Sequence, residues 1–195
     1  MARLAKIYRK TTETEILLEV NLDGKGAGDI STSIPFMDHM LNLFAKHSGC
    51  DLSVKSAGDT EIDDHHLVED LGICLGDAIK EALDDKKGIG RYGSATVPMD
   101  ESLCNLAMDI SGRPYLIYNV KLARKKIGQF DAALIKEFFK SFSDHSGITL
   151  HINLMYGTNG HHMAEAVFKA FARAFKEAVT VHEYIEGVLS TKGSL

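Results

Sequence analysis

Along the first fifty residues apolar side chains come in short strand-like runs, then change to a period of three to four. Residues 15–22 are rich in Ile, Leu and Val and stop at Asp23-Gly24, a turn dipeptide, which predicts a strand. Residues 29–34 alternate and predict a second. Pro35 suits the first position of a helix over about 36–46, with Met37, Met40, Leu41 and Phe44 as its apolar stripe. A short strand follows at 50–55. Asp63 or Asp64 can cap a helix running to about Leu83, before Gly88, with Leu67, Leu71, Cys74, Leu75, Ala78, Ile79 and Ala82 on its buried face. The order then recurs. Strands are predicted over 92–99, 103–110 and 115–120, a helix over 132–141, a strand over 148–154, and a strongly periodic helix from 160 to about 179, capped by Asn159. The predicted class is α+β: a strand-strand-helix-strand-helix unit used twice, giving two sheets with helices packed between or against them. The halves would be 1–90 and 91–195, packed as one globular unit.

The duplication is visible in the residues themselves. Leu43-Phe44-Ala45-Lys46-His47-Ser48-Gly49-Cys50-Asp51-Leu52 lines up with Ser141-Phe142-Ser143-Asp144-His145-Ser146-Gly147-Ile148-Thr149-Leu150, an offset of 98. His65-His66-Leu67-Val68-Glu69 returns as His161-His162-Met163-Ala164-Glu165 at an offset of 96. Carried upstream, the offset of 98 sets His39 opposite Glu137.

These repeated residues are metal-ligand types. On a helix, residues four apart share a face and adjacent residues diverge by about 100°. His65 and Glu69 therefore face one way and His66 another; His161, Glu165 and His162 repeat the arrangement. One ion could not easily take both adjacent imidazoles of a helix. Two ions could, each drawing a His-Glu pair from one helix and a lone His from the other. With His39 and Glu137 each half offers four donors: His39, His65, His66 and Glu69, then Glu137, His161, His162 and Glu165. Eight donors around two ions leave open positions if the metal is six-coordinate.

Composition narrows the class without adding chemistry. A net charge of −5 argues against a nucleic-acid binder, though not against a local basic pocket for a small anion. Cys50, Cys74 and Cys104 are odd in number, scattered and free of any CxxC, so they read as reduced, buried thiols of a cytoplasmic protein. The first ten residues lack the apolar core of a signal peptide. No apolar run approaches the ~18 residues that would suggest a membrane span.

Other residues are ambiguous taken singly. His47 and His145 repeat, but a histidine beside Ser-Gly at a helix end can simply meet carbonyls. Arg91 follows Gly88-Ile89-Gly90, and Arg113 follows Ser111-Gly112; each alone would pass for a solvated arginine at a turn. Lys169 sits four residues after Glu165, where an ordinary Glu–Lys pair is the plain reading. Lys192, in Leu189-Ser190-Thr191-Lys192-Gly193, would by default belong to a frayed tail. The four cations together could clamp a phosphate. Glu13, just before the first predicted strand, has nothing local to distinguish it from a surface carboxylate.

Five segments in order resemble the imidazoleglycerol-phosphate dehydratase family: Phe36-Met37-Asp38-His39-Met40-Leu41; Asp64-His65-His66-Leu67-Val68-Glu69-Asp70-Leu71-Gly72; Ser111-Gly112-Arg113-Pro114; Gly160-His161-His162-Met163-Ala164-Glu165-Ala166-Val167-Phe168-Lys169-Ala170-Phe171; and Ser190-Thr191-Lys192-Gly193. The resemblance implies a lyase of histidine biosynthesis that dehydrates imidazole glycerol phosphate to imidazole acetol phosphate. It implies two Mn²⁺ per active site, one on His39, His66, His161 and Glu165, the other on His65, Glu69, Glu137 and His162. Many members carry His where this chain has Glu137; a carboxylate is a harder ligand that suits Mn²⁺. It also implies a phosphorylated imidazole as substrate and self-association into a shell of 24 copies with active sites at subunit contacts, without nucleic acid or membrane. Arg91, Arg113, Lys169 and Lys192 would surround the phosphate, helped by Ser190, Thr191 and Gly193. Glu13 would stand beside the carbon that loses a proton. That hydrogen is not next to a carbonyl, so the chemistry needs the imidazole ring, bound through its nitrogens, as an electron sink that expels the neighbouring hydroxyl.

Two other classes compete. A metal store built on a ferritin-like four-helix bundle would also set His and Glu on paired helices, but the strands between these helices argue against it. A two-metal phosphohydrolase would usually show Asp-rich ligands at strand ends. The products separate the three: a ketone with phosphate retained, free phosphate, or neither.

Overall fold

The computed structural model describes residues 3–195. The first sheet is made of β1 (Leu4–Lys10), β2 (Thr14–Asn21), β4 (Asp51–Gly58) and β3 (Gly28–Ser31), in that order. The second is made of β5 (Tyr92–Met99), β6 (Ser102–Asp109), β10 (Thr149–Tyr156) and β7 (Tyr115–Asn119). In both, the first two pairings are antiparallel and the last parallel. The parallel pairs are closed by helices, α1 (Pro35–Ser48) between β3 and β4 and α3 (Leu134–Ser146) between β7 and β10. The long helices α2 (His65–Leu83) and α4 (Gly160–Val179) follow. The chain is thus α+β, with two mixed sheets and four helices.

The registers carry the duplication down to single residues. Ile7 faces Leu18, Leu18 faces Val54 and Ile30 faces Val54. In the second sheet Ala95 faces Leu106, Leu106 faces Ile152 and Tyr118 faces Ile152. Strands before the first helix of each half therefore repeat at 88 residues, whereas α1 and β4 repeat at 98 in α3 and β10. Ten extra residues lie between β7 and α3, and they hold a two-stranded ribbon, β8 (Lys126–Ile127) and β9 (Phe130–Asp131). Phe130 is buried and stacks on Phe36 of α1, 4.7 Å between ring centroids, which ties the insertion to the helix layer.

Each repeat carries one strand more than the sequence pattern predicts for the first half. β1 is an edge strand whose only buried side chain is Ala5, so it lacks the apolar alternation that reveals a half-buried strand. The ribbon β8–β9 is too short to give a period at all.

The helices pack across the two halves, α1 on α4 and α2 on α3, with α2 seated on β1 and β2 and α4 on β5 and β6. A seam of buried rings joins them: Phe44 stacks on Phe171 at 5.0 Å, Phe139 meets Phe168 at 5.0 Å and Phe171 at 5.2 Å. Two glycines let α2 and α3 touch backbone to backbone. A Cβ on Gly72 would lie 2.5 Å from the carbonyl oxygen of Phe138, and one on Gly76 2.9 Å from that of Phe142. The contact positions advance together on both helices, so α2 and α3 run the same way. Phe36 beside His161 and Phe44 beside Phe171 give the same result for α1 and α4. The initial turns of each helix pair therefore lie at one end, and those turns carry the repeated histidines and glutamates.

Candidate active site

His39, in the first turns of α1, meets His161 and Glu165 of α4. Asn159 opens α4 in extended geometry, and its side chain accepts the backbone N–H of His161 at 3.0 Å, fixing the turn that holds the imidazole. His161 and Glu165, four apart, share a face as the spacing requires. The Nε2 atoms of His39 and His161 lie 2.9 and 3.0 Å from Glu165 Oε1, and the rings stack with centroids 5.4 Å apart. The other oxygen, Oε2, accepts from Lys169 Nζ at 2.6 Å. Lys169 also reaches Met99 Sδ at 3.1 Å. Burial alone would raise the pKa of Glu165, but the hydrogen bonds from Lys169, His39 and His161 and the lysine charge hold it down at about 2. Two imidazole nitrogens and a hard oxygen aimed at one point fit a divalent transition metal such as Mn²⁺.

The matching face of α2 is more open. His65 Nε2 lies 3.8 Å from Glu69 Oε2, both side chains being nearly half exposed. Glu137 sits in the first turn of α3, which packs on α2, and lines a cleft of about 630 Å³ with Tyr118, Arg124, Lys125 and Lys136. Among the described residues, groups of three donors converge within 4.8 Å at His39–His161–Glu165 and at Glu13–Asp59–His66, not at His65–Glu69–Glu137.

His66 and His162 turn away from their helix neighbours, as the 100° rotation predicts, and each is held at Nδ1 by a carboxylate. Asp59 Oδ2 lies 3.0 Å from His66 Nδ1, and Glu101 Oε2 lies 2.7 Å from His162 Nδ1. Both imidazoles are driven to higher pKa by these hydrogen bonds, and Glu101 is held well below the usual carboxylate range by His162 and then by the backbone of Asn159. The free Nε2 atoms remain as donors to a metal. Glu13 Oε2 stands 3.8 Å from His66 Nδ1. Its turn is anchored on α2: Thr14 Oγ1 donates to buried Asp70 Oδ2 at 2.5 Å, Arg9 pairs with the other oxygen at 3.0 Å, and Thr11 Oγ1 accepts the N–H of Glu13.

The predicted anion-binding residues divide between two places. Arg91, Arg113, Ser190, Thr191 and Lys192 line a cleft of about 640 Å³. Arg91 adopts a left-handed φ of 65°, and Asp109 grips its guanidinium in a two-pronged pair at 2.7 and 3.1 Å, while its NH1 donates to the carbonyl of Leu189 and pins the C-terminal segment. Gly193, with φ 73°, closes a turn on the Ser190 carbonyl. Lys169 is not among these lining residues; it belongs with Glu165. The cleft also lies at the opposite end of α4 from the His39–His161–Glu165 cluster. Arg91 N donates to the carbonyl of Ala178, seventeen residues after His161, or roughly 25 Å along the helix.

Asp59, Glu101 and Asp109 escape the sequence reading because none belongs to a repeated motif that would single it out. The 88-residue strand repeat would have marked Glu101, which it sets opposite Glu13. His145 pairs with Asp77 at 3.0 Å instead of capping carbonyls. Cys50, Cys74 and Cys104 are free and buried, their thiols pushed up to about 11, 12 and 12 by burial, which makes them inert. Among the described residues no helix is long and apolar enough to cross a membrane.

Comparison with known proteins bears on the whole chain. Residues 32–175 match the sequence model of a family described as imidazoleglycerol-phosphate dehydratase. The protein of that name from Syntrophus aciditrophicus is 62% identical over 194 residues, 99% of this chain and 98% of its own length. That from Citrifermentans bemidjiense is 59% identical over the full length of both. Among solved structures, the Staphylococcus aureus imidazoleglycerol-phosphate dehydratase superposes with a TM-score of 0.84 at 40% identity, covering 92% of this chain and 99% of that one. The Pyrococcus furiosus enzyme, in complex with (S)-C348, gives 0.84 at 36% identity over 97% and 100%.

Proposed function

The chain belongs to the imidazoleglycerol-phosphate dehydratase family, a hydro-lyase family of histidine biosynthesis, and from that premise we propose that it dehydrates imidazole glycerol phosphate to imidazole acetol phosphate with two Mn²⁺ held by its repeated histidines and glutamates. The convergence of His39, His161 and Glu165 on one point carries the metal part of this reading. One ion would rest on these three with His66, the other on His65, Glu69, Glu137 and His162. When bound, the ions supply Lewis acidity and a template for the substrate's ring nitrogens.

The chain's own groups supply the rest. Glu13, anchored through Thr14 and Asp70 but with its carboxylate free, removes the proton from the carbon beside the departing hydroxyl. Arg91, Arg113 and Lys192 hold the phosphate, with Ser190, Thr191 and Gly193 contributing hydroxyls and backbone. Lys169 keeps Glu165 ionised and turned towards the imidazoles.

The geometry also favours shared active sites. A substrate with three carbons between ring and phosphate spans less than roughly 10 Å, whereas the metal donors and the basic cleft of one chain stand roughly 25 Å apart along α4. A complete site then joins metal donors and phosphate cleft from different copies, which accords with a closed shell of many subunits, 24 on the family resemblance, assembled away from membrane and nucleic acid.

The test is a manganese-supplemented assay with imidazole glycerol phosphate. The ketone is expected, with phosphate retained, and activity should vanish on chelation and return with Mn²⁺. Release of free phosphate would replace the reading with a hydrolase, and metal uptake without turnover would replace it with a store.

A further inference from the structure

Glu13 and Glu101 occupy the same place in the two repeats. Each is the residue before the strand that pairs both its neighbours, β2 and β6, 88 residues apart like the strands themselves. Their surroundings differ. The Glu13 side chain is half exposed and makes no hydrogen bond among the described residues. Glu101 is fully engaged: Oε1 accepts from the backbone N–H groups of Thr158 at 3.1 Å and Asn159 at 2.8 Å, and from Ser102 Oγ at 3.0 Å, while Oε2 meets His162 Nδ1 at 2.7 Å.

In the first repeat, orientation of the imidazole falls to Asp59, which holds His66 Nδ1. The bulge between Leu154 and Tyr156 shifts the register by one, so the place of Asp59 falls to Thr158, 99 residues on. Thr158 carries no carboxylate, and its backbone N–H and hydroxyl both turn to Glu101 Oε1. The second repeat has no Asp59 to spare its glutamate.

We infer that Glu101 is a positioning residue for His162, the second repeat's version of the glutamate that serves as base in the first, and that it fixes the imidazole with the proton on Nδ1 and the Nε2 lone pair facing the metal. An ionised carboxylate only accepts, so the neutral ring must donate from Nδ1. The inference rests on the metal reading above.

Glu101→Gln separates this role from a scaffolding one. The amide oxygen can still accept from Thr158 and Asn159, but the amide NH₂ then faces Nδ1 and demands a lone pair there, moving the ring proton to Nε2. Metal-free E101Q should melt with the wild type. Manganese titration followed by electron paramagnetic resonance should show one of the two ions weakened about 10–100-fold. Both ions bound at wild-type affinity would overturn the inference and leave the metal reading standing. Wild-type protein that takes up no manganese would overturn both. Should E101Q fail to fold, solid-state nitrogen NMR of metal-free, histidine-labelled wild type at alkaline pH decides the matter. The resonances missing from His162→Asn should report protonation at Nδ1, and protonation at Nε2 would overturn the inference.

Discussion

Glu13→Gln should lower kcat by about 10²–10⁴-fold, the range removed with a general base, with KM and manganese binding close to wild type. The substitution keeps the shape of a side chain that is half exposed and makes no hydrogen bond within the described chain, so little is lost beyond its 3.8 Å pairing with His66. The turn that carries it is fixed by Thr11, Thr14 and Asp70, none of which touches the carboxylate. Steady-state kinetics with paired metal titration read the result. Turnover within a few-fold of wild type would remove Glu13 from the role of base.

Glu165→Ala should be comparably damaging, for a different reason. Glu165 is the hub of its cluster: one oxygen faces two imidazoles and the other takes Lys169. On the proposed metal reading its loss removes the anionic ligand of one ion, and in any case it leaves the largely buried Lys169 ammonium without its carboxylate. Lewis-acid stabilisation worth several kcal/mol corresponds to a fall in turnover of about a thousandfold. Manganese titration should show one ion bound per chain in place of two. Retention of both ions would mean that His39, His66 and His161 suffice, and would move Glu165 from ligand to support. Because the lysine is stranded, the melting temperature of metal-free protein should fall as well, which Glu13→Gln should not cause.

The parts of this molecule that are legible in its sequence are those in which chemistry and secondary-structure period coincide. Two HHxxE motifs on periodic helices announce donor type, face and duplication together, and the structure sets His39 with His161 and Glu165. Asp59 and Glu101 illustrate the opposite case. Each is an acid at the end of a strand, outside any repeated motif; one partner is seven residues away and the other sixty-one. Only the folded registers bring the second pair together. β1 hides because an edge strand with one buried alanine carries no apolar alternation. The separation of the basic cleft from the His39–His161–Glu165 cluster is equally hidden, since residue types at Arg91 and Arg113 speak of charge and not of the end of α4 on which they sit. The ten-residue insertion before α3 also masked the repeat among the strands, because the offset that aligns the helices misaligns everything upstream.

The length of α4 has one more consequence under the shared-site reading. A solitary chain holds the opening half of one reaction chamber and the closing half of another, and a whole one of neither. Diluted solutions should therefore lose specific activity as assemblies come apart, rate rising more steeply than protein added. On that reading a twenty-residue rod would make catalysis a collective property, in which no molecule can work until it has company.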